Sequence, residues 1–164
     1  MTNLNLLTFD PELLPEDGIT IQGELSLQEL EIPETDRISC PHPFGFSLHA
    51  GPVHGGVLVQ GTGHTALRCR CDRCLQYFDL PLALGNICYF FKNSDTDLVN
   101  LTDDVREDIL LSFPQTVHCR EGCLGLCPIC GQNLNVRDCG CCPAQEHGSA
   151  WDALDKLELP DEDN

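Results

Sequence analysis

Cysteine is the residue type whose spacing points most directly to chemistry in this sequence. Seven of the twelve cysteines lie within residues 119–142. In Cys127-Pro-Ile-Cys130-Gly131, two residues separate the sulfurs, so both can reach one tetrahedral ion, and the glycine accepts the turn around it. Cys139 and Cys141 follow closely and complete a set of four thiolates. The pattern predicts a structural zinc site of the zinc-knuckle type.

A second cysteine cluster lies upstream and is incomplete by itself. Cys71 and Cys74 repeat the two-residue spacing, but a tetrahedral site needs two further ligands. Cys119 and Cys123 are the unassigned pair nearest in type, so we predict two zinc ions, each held by four cysteines. Two alternatives stay open. In the first, the two C-x-x-C hooks, Cys71–Cys74 and Cys127–Cys130, bind a single zinc ion together as one zinc ribbon. In the second, His118 replaces Cys119 as a ligand.

The composition is that of an acidic protein. The 164 residues include 26 acidic and 9 basic side chains, which give a formal net charge of -17. Binding to nucleic acid depends on a basic surface that displaces counterions, so this balance opposes wholesale nucleic-acid binding and suits a basic protein partner. Five arginines lie in or beside the cysteine clusters. They either offset thiolate charge or contact RNA phosphates or a partner: Arg68, Arg70, Arg73, Arg120 and Arg137.

The sequence lacks an evident targeting signal and an evident active-site pattern. The first ten residues lack the basic start and apolar run of a secretory signal, and no stretch approaches the roughly 18 apolar residues that span a bilayer. We therefore expect a cytoplasmic protein without a membrane partner, whose cysteines bind metal rather than form disulfides. The sequence has no evident Ser-His-Asp set, phosphate-binding glycine loop or His-x-Glu pair. We expect no enzymatic activity and no small-molecule substrate.

Hydrophobic patterns predict the strands that must hold these clusters. Alternation of apolar and polar residues indicates strands, and connections too short for crossovers make the sheet antiparallel. Residues 49–56 are predicted to be a loop, and a hairpin is predicted around Gly61 and Gly63. The final strand is nearly all apolar, so we expect it to be buried, with Cys88 in the core. The predicted strands are 4–9, 19–25, 44–48, 57–60, 64–69, 77–80 and 86–91.

Two helices are predicted. The first covers about 103–112, with Thr102 as N-cap, acidic residues in the first turn and Pro114 after its end. Its apolar stripe predicts packing on the sheet. A short C-terminal helix is predicted from 150 to about 158.

The predicted fold class is α+β, with three parts. Residues 1–118 form an antiparallel β-rich core domain with the packed helix. Residues 119–142 form a cysteine-rich zinc-binding module packed on this domain. Residues 143–164 comprise a linker, the short C-terminal helix and an acidic tail.

Four segments carry a family resemblance. They are Cys71–Leu75 with Phe78 downstream, Thr102–Pro114, residues 119–135, and a Trp-x2-Leu-x2-Leu pattern at 151–157. The most specific part of the third segment is the block Gly-Leu-Cys-Pro-Ile-Cys-Gly-Gln-Asn-Leu-Asn at 125–135. Together they resemble the YceD family, the large-subunit ribosomal RNA accumulation proteins of bacteria and plastids. Cys69 and Cys142 stand beside the expected ligands and depart from the family pattern.

The resemblance implies a non-enzymatic factor that large-subunit ribosomal RNA needs in order to accumulate, through precursor processing or ribosome assembly. The expected partner is the large-subunit rRNA precursor or a basic large-subunit ribosomal protein. The alternative function is a zinc-based redox-switch chaperone or thiol redox protein, because Cys69-x-Cys71 with a distant C-x-x-C is a pattern that such chaperones also use.

Overall fold

The computed structural model describes residues 6–92 and 98–141. Cys142, the linker, the C-terminal helix predicted at 150–158 and the acidic tail lie outside the described residues. The elements in chain order are β1 (Thr8–Phe9), a 3-10 helix (Pro11–Leu13), β2 (Ile19–Leu25), β3 (Ile38–Ser39), β4 (Phe44–Val53), β5 (Gly56–Arg70), β6 (Tyr77–Lys92), β7 (Val99–Asn100) and α1 (Thr102–Leu111).

The described residues form mostly antiparallel sheets with one helix, as the sequence predicts. The main sheet has the order β2, β4, β5, β6, and β3 pairs with the end of β5 beyond β4. A second, two-stranded sheet joins β1 to β7. The first strand is therefore much shorter than the predicted 4–9, whereas β2 has the predicted bounds.

The hairpin predicted around Gly61 and Gly63 is wrong, because both residues lie inside the single strand β5. These glycines are needed for close packing. A Cβ on Gly63 would overlap the buried ring of Phe44, and one on Gly61 would overlap the backbone of β4. The chain turns earlier, at His54–Gly55, where Gly55 has a φ of 87° that favours glycine. Most of the predicted loop 49–56 is consequently strand.

The core lies on one face of the main sheet. It contains alternate residues of β4, β5 and β6 together with residues of β1, β7 and α1. Residues 77–80 and 86–91, predicted as two strands, belong to the continuous β6, which alternates between the two faces. The prediction that Cys88 is in the core is wrong. Ile87 points inward and Cys88 is exposed, because only one face of β6 is covered.

Helix α1 begins one residue before the predicted start. Thr102 is its first residue rather than its N-cap, and the Asn100 side chain accepts a hydrogen bond from the Thr102 N–H at 3.0 Å. Val105 and Ile109 are buried against the sheet. The helix ends before Pro114, and the chain then continues to Cys119. The division of the chain at residue 118 stays a prediction.

Candidate metal centre

The first group of cysteines, site I, consists of Cys71, Cys74, Cys119 and Cys123. Their sulfurs all lie within 4.8 Å of one another, and three of the four residues are buried. The Cys71–Cys123 and Cys74–Cys119 sulfur pairs are 3.8 Å and 3.7 Å apart. Four sulfurs at the usual Zn–S distance of about 2.3 Å are separated by about 3.8 Å in a tetrahedron. The arrangement therefore fits a tetrahedral metal.

A tight loop after β5 supplies the first two sulfurs of site I. The Cys71 N–H donates to the Gln76 carbonyl at 2.9 Å, and the Leu75 N–H donates to the Cys71 carbonyl at 3.0 Å. Leu75 adopts a φ of 59°, in the left-handed region that non-glycine residues rarely occupy. These contacts turn Cys74 back towards Cys71, so that one loop presents both sulfurs.

Polar hydrogens converge on the site I sulfurs. Burial opposes ionisation of Cys71, but N–H groups of Cys74, Cys119 and Arg73 lower its pKa to about 6. Burial and the neighbouring thiols, Cys74 first among them, raise the pKa of Cys119 to about 12. Four adjacent thiolates repel one another, so full deprotonation requires a cation among them. The donor set is thus suited to a divalent metal.

Asp72 joins the site I loop to two distant segments. Its carboxylate accepts two bonds from Arg37 at 2.8 Å and 2.9 Å and one from the Val117 N–H at 2.7 Å. The Asp72 N–H in turn donates to the Val117 carbonyl at 2.8 Å. The Val117 N–H and then Arg37 hold the pKa of Asp72 below its usual range. Asp72 therefore places Cys119 opposite the loop that carries Cys71 and Cys74.

The second group, site II, consists of Cys127, Cys130, Cys139 and Cys141, whose sulfurs also lie within 4.8 Å of one another. Its first loop repeats that of site I. The Cys127 N–H donates to the Gln132 carbonyl at 2.8 Å, the Gly131 N–H donates to the Cys127 carbonyl at 2.9 Å, and Gly131 has a φ of 72°. Site II therefore has the same local design.

The surroundings of site II differ from those of site I. Cys127 is buried, Cys139 and Cys141 are half-buried, and Cys130 is exposed. N–H groups of Cys130 and Ile129 lower the pKa of Cys127 to about 7, whereas the Cys130 and Cys139 thiols raise that of Cys141 to about 12. The donor set again suits a divalent cation, in a more exposed position.

Two asparagines connect the sites, a role that their sequence positions do not reveal. The Asn135 amide donates to the Cys123 sulfur at 3.3 Å, and its oxygen accepts from the Leu124 N–H at 2.9 Å. The Asn133 side chain accepts from the Asn135 N–H at 2.9 Å. This explains the Asn-Leu-Asn end of the 125–135 block, because it holds the segment between the sites against a ligand of site I.

The structure brings the eight predicted ligands together as the two sets of four described above. The two C-x-x-C hooks belong to different groups, and exposed His118 belongs to neither. Cys69 is buried in the main core and lies outside site I. Burial, followed by the charges of Asp72 and Asp79, raises the pKa of Cys69.

All five arginines proposed as contacts have partners within the chain. Arg68 and Arg70 form ion pairs with Asp79 and Asp36 at 3.4 Å and 3.2 Å. The other three donate to neutral oxygens: Arg73 to the Cys123 carbonyl at 3.1 Å, Arg120 to Asn135 at 2.8 Å and Arg137 to Gln132 at 3.3 Å. The ion pairs lower the net positive charge that Arg68 and Arg70 offer, whereas Arg120 and Arg137 keep theirs.

Within residues 6–92 and 98–141, no helix has the length and apolar character needed to cross a bilayer.

Comparison with known protein families supports the resemblance read from the sequence. Residues 90–158 match the family model described as large ribosomal RNA subunit accumulation protein YceD. The matched range contains α1 and six of the eight grouped cysteines, while Cys71 and Cys74 precede it. Neither a curated protein nor a solved structure matches the chain.

Proposed function

We propose that this chain, whose residues 90–158 match the YceD family model, is a non-enzymatic factor that supports accumulation of large-subunit ribosomal RNA. The family match is the observation that carries the proposal. It covers the segment that contains α1 and the whole of site II. The factor acts in the cytoplasm, in precursor processing or in assembly of the large subunit.

Zinc is the metal we propose for both sites. Sets of four cysteine sulfurs within 4.8 Å of one another favour zinc, and closed four-thiolate sites are structural rather than catalytic. In site I, the ligands come from the loop after β5 and from the segment after α1, so a bound ion holds these segments together. Residues 119–142 would then act as a module packed on the β-rich core.

The partner in the proposed function is the large-subunit rRNA precursor or a basic large-subunit ribosomal protein. An RNA contact is favoured at Arg73, Arg120 and Arg137, because a phosphate replaces only a neutral oxygen there. At Arg68 and Arg70, a phosphate must displace an aspartate. The net charge of -17 favours the basic protein, which it attracts at long range.

Affinity capture of the tagged full-length chain from its native host tests this function. The chain is captured at low and moderate salt, retained RNA is sequenced, and retained proteins are identified. We expect large-subunit precursor RNA or a basic large-subunit protein to be enriched over a capture with the tag alone. Enrichment of neither at either salt concentration would contradict the proposed function.

A redox-switch chaperone is the second candidate, and the exposure of Cys130 favours it. An accessible zinc-bound thiolate is the point at which an oxidant attacks. Under this function, mild peroxide releases zinc and the oxidised chain suppresses aggregation of an unfolded client. If peroxide releases zinc but the oxidised chain does not suppress aggregation, Cys130 is oxidisable and the chaperone hypothesis is wrong.

A further inference from the structure

The outer edge of β6 is open. This 16-residue strand pairs with β5 along its length. Within residues 6–92 and 98–141, no other strand pairs with β6 and no backbone group forms a hydrogen bond with its outer edge. A row of unpaired N–H and C=O groups is a template for another strand, and proteins normally protect such edges.

The protective features of β6 are concentrated before Ile87. Pro81 has no N–H to offer. Gly61 pairs with Ile87 and Gly63 with Leu84, so β6 carries one extra residue in this interval and forms a bulge. From Ile87 to Phe91 the register is regular. This five-residue stretch is therefore the part of the edge best suited to accept a further strand.

Helix α1 places negative charge beside this stretch. The Tyr89 hydroxyl donates a hydrogen bond to the Asp108 carboxylate. Burial, then Asp108, Asp104 and Glu107, raise the pKa of Tyr89, in keeping with its hydrogen bond to the acidic face of α1. In the part of the chain that the structure describes, none of these carboxylates has an ion-pair partner.

A cleft lies where α1 meets the edge. It has a volume of about 250 Å³ and is lined by residues of β6 around the bulge, by Asp108 and Leu111 of α1, and by Ser112 directly after the helix. Leu111 is 75% exposed at its rim. The cleft can take a side chain that has an aliphatic stem and a cationic end, as in lysine or arginine.

We propose that the edge of β6 over Ile87–Phe91 binds a basic polypeptide segment in extended conformation, which adds to the main sheet as a further strand. Backbone hydrogen bonds supply the pairing, and the carboxylates of α1 select lysine and arginine. Nucleic acid does not fit this edge, because it has no strand backbone and its phosphates are repelled by α1. This inference rests on the proposed function in the form in which the partner is a basic large-subunit protein, and it gives that partner a binding site.

Hydrogen exchange on the full-length chain tests the edge directly. The probe is a ten-residue peptide that alternates lysine with valine and threonine. The control peptide has the same sequence with alternate backbone nitrogens methylated, which keeps the charge but removes strand donors. We expect the probe to slow exchange of outward-facing amides in residues 87–91 by at least about 10-fold, and the methylated peptide to leave them unchanged.

A pair of double variants tests the charge selection. Asp104→Asn with Glu107→Gln removes two carboxylates beside β6, and we expect it to weaken probe binding by roughly 5- to 10-fold. Asp17→Asn with Glu24→Gln is the matched control. It removes the same charge just before and within β2, the opposite edge strand. We expect this variant to bind the probe within a factor of two of the wild type.

Three results would overturn the proposal. The methylated peptide protects residues 87–91 equally well, the probe protects β2 instead, or these amides already exchange slowly in the free chain. The last result would mean that another part of this chain covers the edge. None of the three affects capture of large-subunit precursor RNA. A negative result for strand addition at β6 is therefore distinguishable from failure of the proposed function.

Discussion

Sites I and II have the same local loop in different structural settings. The ligands of site I come from segments about 45 residues apart, and the site is almost entirely buried. The ligands of site II lie within residues 127–141, and one of them is exposed. A metal in site I therefore cross-links the tertiary structure, whereas a metal in site II organises its own loop. The same four-thiolate site therefore stabilises the fold more when the loop that its metal closes is longer.

Removal of one ligand from each site should give the largest difference. If a site I metal acts as a cross-link, Cys119→Ser opens a loop of 45 residues. We expect a loss of about 4 kcal/mol in the free energy of unfolding, by the chain-entropy relation for a covalent cross-link. By the same relation Cys139→Ser in site II opens only the roughly 12-residue loop from Cys127 to Cys139, so we expect it to cost about 1 kcal/mol less than Cys119→Ser. Urea unfolding of the two variants measures this difference, and equal losses would remove the distinction between the sites.

Zinc content and release provide the next test. We expect two zinc ions per chain by elemental analysis and one in each ligand variant. A chelator should remove zinc in two phases, first from exposed site II and then from buried site I. Cys139→Ser should abolish the fast phase and Cys119→Ser the slow one. A content near one zinc per wild-type chain would eliminate the two-ion arrangement.

A smaller effect is expected from the carboxylate that positions site I. Asp72→Asn loses charge-assisted bonds to Arg37 and the Val117 N–H. We expect a smaller loss of stability than for Cys119→Ser, together with faster release of the slow zinc. Asp138→Asn is the site II counterpart, since Asp138 accepts only the Gly140 N–H at 3.1 Å among the bonds described. The asparagine oxygen can still accept that bond, so slow zinc release should be unchanged.

The smallest expected effect compares two arginines. Arg137 lies in the segment between Cys130 and Cys139 and has a neutral partner, whereas Arg68 pairs with Asp79 near the end of β5. If the chain contacts RNA, Arg137→Gln should lower recovery of precursor RNA. It should also reduce the slope of log affinity against log salt concentration by about 1, as for the loss of one phosphate contact. Arg68→Gln should have a weaker effect. A greater loss with Arg68→Gln would place the contact on β5 instead.

The sequence by itself determined the local chemistry of the metal sites. Two residues between cysteines fix how far apart the sulfurs can lie, so the Cys71 and Cys127 hooks follow from backbone reach alone. The bounds of β2 and the position of α1 to within one residue follow from local hydrophobic periodicity. The hairpin predicted around Gly61 and Gly63 is wrong because a glycine in a turn and one beneath a packed ring look the same in sequence.

The tertiary structure decided how the local pieces combine. The spacing of the two C-x-x-C hooks would allow them to share one ion. The path of the chain from β5 through α1 to residues 117–119 instead brings Cys71 and Cys74 together with Cys119 and Cys123. Sheet register likewise decided that Cys88 faces solvent and that Arg68 meets Asp79. These outcomes depend on contacts between residues far apart in the chain, whereas local spacing depends only on the backbone between neighbours.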